Sequence, residues 1–233
     1  NSTFNIDRDV GLQLRHHFTI GDRFLVREIF SWAQGEGRNV VTGNLGGHQY
    51  TSRIEFLPFG KFKGKGDYKG SGLTREEKLK VAIGASYDFN NNAVKTRSNQ
   101  GSYMTNDIGY YETNISTVFI DAILNYKGFS FMGEYSNRNA EDPIAKNADG
   151  SATGDFVSEG NGLNIQSGYL LKKNWELTGR YTLIDLKLSE ISEQYTLGVS
   201  KYILGHKLKV QSDLSYLTLN NIGSEIRFRL QVD

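Results

Sequence analysis

The chain has 233 residues with 27 basic and 26 acidic side chains, a net charge of +1, which argues against a polybasic nucleic-acid surface and against an acidic solvating tail. Cysteine is absent, so thiolate metal ligands, thiol nucleophiles and disulfides are excluded while the compartment stays open. No run approaches the roughly 20 apolar residues of a membrane helix, and the mean hydropathy is −0.47.

The chain opens on NSTFNIDRDVG, which reads as a loop and carries no signal peptide, so the expectation is a processed or cut start. The first strand is VGLQLRHHF, with Val10, Leu12, Leu14 and Phe18 on one side and Gln13, Arg15 and His17 on the other. The second, FLVREIFSW, is the least regular: either phase puts a charge, Arg27 or Glu28, on the apolar side, as a bulge or a protein contact would explain. The third, QYTSRIEF, sets Tyr50, Ile54 and Phe56 against Thr51, Arg53 and Glu55. The fourth, EKLKVAIGASYDFN, alternates almost without fault, with Leu79, Val81, Ile83, Ala85, Tyr87 and Phe89 opposed to Lys80, Ala82, Gly84, Ser86 and Asp88. STVFIDAILNY, FSFMGEYSNR, GLNIQSGYL, WELTGRYTL, YTLGVSKYI, KLKVQSDLSY and IRFRLQV follow as the fifth to eleventh. A period of two with one dry face and one wet face holds throughout, and no helix-period segment of useful length appears.

The connections carry a second signal. Short links at TIGDR, YKG, KKN and LGH alternate with longer polar ones at 33–47, 90–114, 139–160 and 186–193. Short turns at one end and long loops at the other are expected of a meander that spans a bilayer, whereas a soluble sandwich has no reason for that polarity. The connection 57–77 breaks the alternation, being long where parity asks for a short turn, and periodicity gives no reason for it. Parity places the end of the last strand on the short-turn, periplasmic side. An odd count of eleven then predicts an incomplete barrel lacking about five or more N-terminal strands, because single-chain bacterial barrels have even numbers.

Barrels look hydrophilic overall because lipid-facing and lumen-facing residues alternate. The 26 glycines, 13 tyrosines and 13 phenylalanines against two prolines suit this class, since aromatics favour strands and membrane interfaces and proline breaks ladders. Tyr50, Tyr87, Phe89, Tyr126, Phe129, Tyr135, Tyr169, Trp175, Tyr181, Tyr195, Tyr202 and Tyr216 read as near strand ends on the apolar phase, as two interfacial girdles require. In a soluble sandwich or a lipocalin-like barrel, the competing reading, each buried tyrosine would need a hydroxyl partner.

The order and spacing of PFGKFKGKGDY, LTREEKLKVAIGASYDFN, KGFSFMGEYSNR, YLLKKNWELTGRYT, EQYTLGVSKYILGHKLKVQSDLSY and IRFRLQV, with the GEGRN loop at 35–39, resemble the phosphate-selective porin O and P family in its Bacteroidetes form. The resemblance covers essentially the whole chain as the C-terminal portion of a longer porin. It implies an all-β, antiparallel up-and-down barrel of about 16 strands, of which residues 1–233 form a single domain. It further implies a Gram-negative outer-membrane location, a homotrimer, and passive diffusion of small solutes with a preference for anions such as phosphate. Members of this kind end on an aromatic residue, whereas this chain stops at Val232-Asp233.

On the wet phase the candidate pore-lining cations are Arg15, Arg53, Lys80, Arg138, Arg180, Lys207, Lys209, Arg227 and Arg229, beside the acids Glu55, Asp88, Asp121, Glu134, Glu176, Asp213 and Glu225. Cross-strand pairing along a wet wall is the plain reading. The sharper one makes Lys207, Lys209, Arg227 and Arg229 a basic stripe that favours anions. His16 and His17 point to opposite faces and cannot chelate together, so neither a metal nor another cofactor is expected. GKGDYKG lacks the strand-to-helix setting of a phosphate loop, and no catalytic signature is present. The expectation is therefore a porin rather than an enzyme, with the bilayer, small solutes and other outer-membrane proteins as partners and no nucleic acid. The rival is a barrel subunit of a larger outer-membrane complex.

Overall fold

The structure is a computed structural model that describes residues 3–38, 40, 43–69, 71–189, 191–220 and 222–232; Asn39 of the GEGRN loop and Asp233 lie outside these. All eleven expected strands form, and they are joined in one antiparallel sheet. In chain order the strands are β1 (Gly11–Ile20), β2 (Phe24–Ala33), β3 (Gln49–Leu57), β4 (Lys80–Ala93), β5 (Lys95–Arg97), β6 (Gln100–Tyr103), β7 (Thr105–Asn106), β8 (Gly109–Tyr110), β9 (Thr113–Tyr126), β10 (Phe129–Ala140), β11 (Ile144–Lys146), β12 (Ala152–Phe156), β13 (Gly160–Leu170), β14 (Trp175–Leu186), β15 (Ser192–Tyr202), β16 (Lys209–Leu219) and β17 (Gly223–Val232). The sheet order is β1-β2-β3-β4-β9-β10-β13-β14-β15-β16-β17, a plain meander, while β5-β6, β7-β8 and β11-β12 are small hairpins within the long connections. The sheet is not closed: β1 and β17 are its two edges.

The two faces of this sheet are inverted relative to a soluble protein. In β4, Ile83 and Tyr87 are 45% and 50% exposed while Asp88 between the same neighbours is fully buried. In β15, Leu197 is 73% exposed. The same holds across the sheet for Ile120, Tyr135, Ile165, Tyr169, Leu177, Tyr195, Leu214 and Tyr216. Conversely, Arg138, Thr117, Asn90 and Asn125 are buried on the opposite face. Soluble monomers rarely expose contiguous apolar patches beyond a few hundred Å², so this face demands a cover. Among the described residues no helix is long and apolar enough to cross a membrane.

The irregular second strand resolves without a bulge. β2 runs in unbroken register between β1 and β3, with Arg27 opposite His17 and Glu55, and Glu28 opposite His16 and Ile54. Arg27 therefore belongs to the polar face and Glu28 to the apolar face. Tyr202, expected on the apolar side, lies on the polar side instead. It is 7% exposed, because the register that sets Tyr195 opposite Tyr216 and Tyr181 puts position 202 in the other phase.

One end of the sheet carries tight turns. Tyr126 and Phe129 are joined through Lys127 and Gly128 alone, both at positive φ (47° and 88°), the geometry a two-residue hairpin of matching twist requires and one that glycine adopts without strain. The 57–77 connection leaves this end and folds onto the polar face. Phe62 packs there with Leu25 and Leu57 against Ala82 and Ile123. Lys63 N donates to Glu76 Oε1 at 2.5 Å and Lys127 N to Glu76 O at 2.7 Å. Further along, Arg75 donates to the Leu170 and Leu171 carbonyls at 2.9 and 2.6 Å, and Ser71 Oγ lies 3.5 Å from His206 Nε2. The segment thus spans the sheet from β2 to the β15–β16 turn.

Candidate functional site

The polar face is the place where chemistry can be organised, and its centre is a ladder of alternating charge. Arg53 Nη1 and Nη2 donate to Asp121 at 2.6 and 2.9 Å, Nε donates to Glu55 at 2.9 Å, and Nη1 also reaches Ser86 Oγ at 3.0 Å. Arg27 contacts Glu55 at 3.3 Å and Asp67 of the 57–77 segment at 2.6 Å, and lies 5.6 Å from the centre of the Tyr68 ring. The order Asp67, Arg27, Glu55, Arg53, Asp121 alternates in sign throughout. Arg53 starts on β3 and reaches Asp121 on β9 across β4, and it can do so because Gly84 stands between them. A Cβ at Gly84 would sit 2.3 Å from Arg53 Nη2 and 2.7 Å from its Cζ. The small residues of the wet phase therefore make room for long cations.

Toward the long loops the face becomes a sealed polar cluster. Asp88 accepts from Gln49 Nε2 at 2.8 Å, from Thr51 Oγ1 at 2.7 Å and from Ser98 Oγ at 3.3 Å, and Asn90 donates to the Gly35 carbonyl at 2.7 Å. Glu36 of the GEGRN loop is 2% exposed and ties that loop together. It accepts from Leu45 N, from Gly46 N at 3.1 Å and from Tyr103 Oη at 2.9 Å, while Lys95 Nζ donates to its carbonyl at 2.6 Å. Arg138 is fully buried beneath the N-terminal segment. It donates to the Phe4 and Thr3 carbonyls at 2.9 and 3.3 Å and packs against the Phe4 ring.

At the turn end of β13 to β17 the same face opens into a depression of about 540 Å³, bounded by Glu176, Arg180, Tyr202, His206, Lys209 and Arg229. Tyr202 Oη donates to Glu176 at 2.5 Å. Arg229 is bound to Asp213 at 3.0 Å, whereas the buried Nε of Arg180 has no hydrogen-bond partner. His206, in the turn after β15, is held below its ordinary pKa by burial first and by Lys69 and Lys209 second. Among the long loops, Asp142 is held below the usual carboxylate range by its bonds from Lys146 and Tyr111.

The nine candidate cations thus separate. Arg53, Arg180, Lys209 and Arg229 stand on the polar face near the ladder or the depression. Arg138 is on this face but sealed over. Lys80 is drawn to the turn end, where its Nζ donates to the Phe59 carbonyl at 2.5 Å. Arg15 and Arg227 are exposed on the two edge strands, bonded to Gln13 and Glu225 of their own strands. Lys207 precedes β16 and lies in the 203–208 turn, so the four residues of the expected basic stripe do not form one. Arg27, Asp67 and Gln49 escaped the sequence reading. The uncertain phase of β2 and the unexplained length of 57–77 were the two signals that pointed to the first two. No family model, curated protein or solved structure matches the chain.

Proposed function

We propose that this chain is the C-terminal portion of an outer-membrane β-barrel porin, with small solutes diffusing passively along its polar face. The carrying observation is the inversion: Leu197 is 73% exposed on one face while Asp88 and Arg138 are fully buried on the other. Lipid covers the apolar face without any partner protein, and the rim tyrosines and Trp175 suit the headgroup level. The two sheet edges run in the same direction, since an odd number of antiparallel strands begins and ends alike. Antiparallel closure therefore takes an odd number of further strands, consistent with about five in a barrel of about 16. The docked 57–77 segment would narrow the periplasmic opening.

Anion preference, phosphate included, would draw on Arg180, which lines the depression, rather than on a basic stripe, because Arg53 and Arg229 are bound to acids. A second reading, a plugged barrel serving a larger outer-membrane assembly, is favoured by the cover over this face from 57–77 at one end and from the Phe4 segment and Glu36 loop at the other. Bilayer conductance of the full-length protein, with the reversal potential taken across a KCl gradient, separates the two. Open steps with a chloride-favouring potential support the porin, and a folded but silent barrel supports the assembly subunit.

A further inference from the structure

Among the described residues, the apolar face holds one ionisable pair at mid-strand. His16 Nδ1 donates to Glu28 Oε2 across β1 and β2 at 3.0 Å, and the two side chains are 67% and 48% exposed. By register, the other ionisable groups of this face, Asp185, Glu193 and Lys201, stand at strand ends. Beside the pair lies a depression of about 670 Å³ walled by Leu14, Phe30, Ile54, Tyr87 and Val118, with Ser52 and Ala85 as its small-residue floor. A carboxylate facing hydrocarbon near the middle of the band is costly, and lipid tails offer it no second hydrogen bond.

We propose that the β1–β2 wall docks against a second copy of this protein, with the His16–Glu28 pair at the contact. The inference rests on the membrane-barrel reading. The pair is cross-strand, so the two groups sit side by side at one level. Copies inserted in the same orientation and set wall to wall bring His16 of one opposite Glu28 of the next, because left and right exchange when two like surfaces face each other. The alternating pair is thus complementary to itself around any symmetry axis along the membrane normal, each group gains a partner from the neighbour, and the depression receives the neighbour's apolar side chains.

The outward aim of Phe30 makes the test direct. The full-length protein is produced in one outer membrane in two differently tagged forms, each carrying a benzophenone amino acid at position 30. Illumination is expected to give a cross-linked product bearing both tags. His16→Glu should lower its yield at least tenfold by setting like charges together, and His16→Glu with Glu28→His should restore it. Heat-modifiable mobility confirms folding of each variant, and Glu28→Gln, which keeps shape and removes charge, serves should His16→Glu not insert; it too should lower the yield. Cross-links to lipid or to a different protein without the two-tag product overturn the inference, as does a yield indifferent to these substitutions. Failure of the barrel reading is distinct, since the protein would then leave the membrane in buffer without detergent.

Discussion

Truncating Phe62 tests whether the 57–77 segment is an independently docked element. The ring is 6% exposed and fills the space among Leu25, Leu57, Ala82 and Ile123. Phe→Ala changes in cores cost about 3–5 kcal/mol, and a small cluster that can partly collapse belongs at the lower end, about 3 kcal/mol. That loss falls on the docked segment and not on the ladders of β2, β3 and β4, whose backbone bonds do not pass through Phe62. At about 1.4 kcal/mol per factor of ten, the undocked population should rise on the order of 100-fold. Hydrogen exchange in detergent micelles reads this at the amides that depend on docking, those of Lys63, Lys69, Arg75 and Lys127. In Phe62→Ala they should exchange about 100-fold faster, while amides of the β2–β3 ladder keep their wild-type rates. Equal acceleration in β2 and β3 would refute the reasoning by making Phe62 part of the sheet's own stability. Unchanged exchange would refute it too, by leaving Asp67 and Arg75 sufficient to hold the segment.

Replacing Arg53 by Met should destabilise the folded protein by about 1–3 kcal/mol, between the cost of losing a surface pair and a buried one. Glu55 and Asp121 would then face each other without their shared cation. Gly84→Val should displace the same guanidinium, so the double variant should fall short of the summed losses by more than about 0.5 kcal/mol in denaturant unfolding; strict additivity would show that Gly84 does not serve Arg53. A pH effect follows from His206, whose folded pKa lies below its ordinary value. Stability from the neutral ring is fully present above about pH 6.5 and is lost as pH falls through the folded value. Protection of amides near Ser71, taken relative to their intrinsic exchange rates at each pH, should therefore fall on acidification, and His206→Gln should remove that dependence.

The strands and their two faces were legible because a period of two is written into each strand and needs no distant information. Ladder partners were not legible, because a side chain as long as Arg53 reaches past the neighbouring strand whenever a glycine lets it, and Gly84 reads in the sequence as a merely small residue. Tyr202 shows the limit from another side. Near a strand's end a shift of one residue exchanges the faces, and the tyrosine moves from a lipid rim to a buried bond with Glu176. The segment 57–77 announced itself by length alone, since its docking depends on Phe62, Asp67 and Arg75 finding partners on β2, β4 and β9 and at the end of β13.

Counting charges on the wet phase misjudges what a solute would meet there. A cation bound to a carboxylate at 2.6 Å, as Arg53 is to Asp121, presents a compact dipole whose field falls away faster than that of a lone charge, and salt shortens its reach further. Arg53 and Arg229 therefore stiffen the sheet more than they select ions. Arg138 contributes to the N-terminal cover because its donors are taken up by the Phe4 and Thr3 carbonyls. Arg180 differs: it lines the depression, and its buried Nε has no hydrogen-bond partner, so its guanidinium is less fully tied than those of Arg53 and Arg229. On the porin reading proposed above, selectivity would then belong to one end of the polar face and not to the wall as a whole.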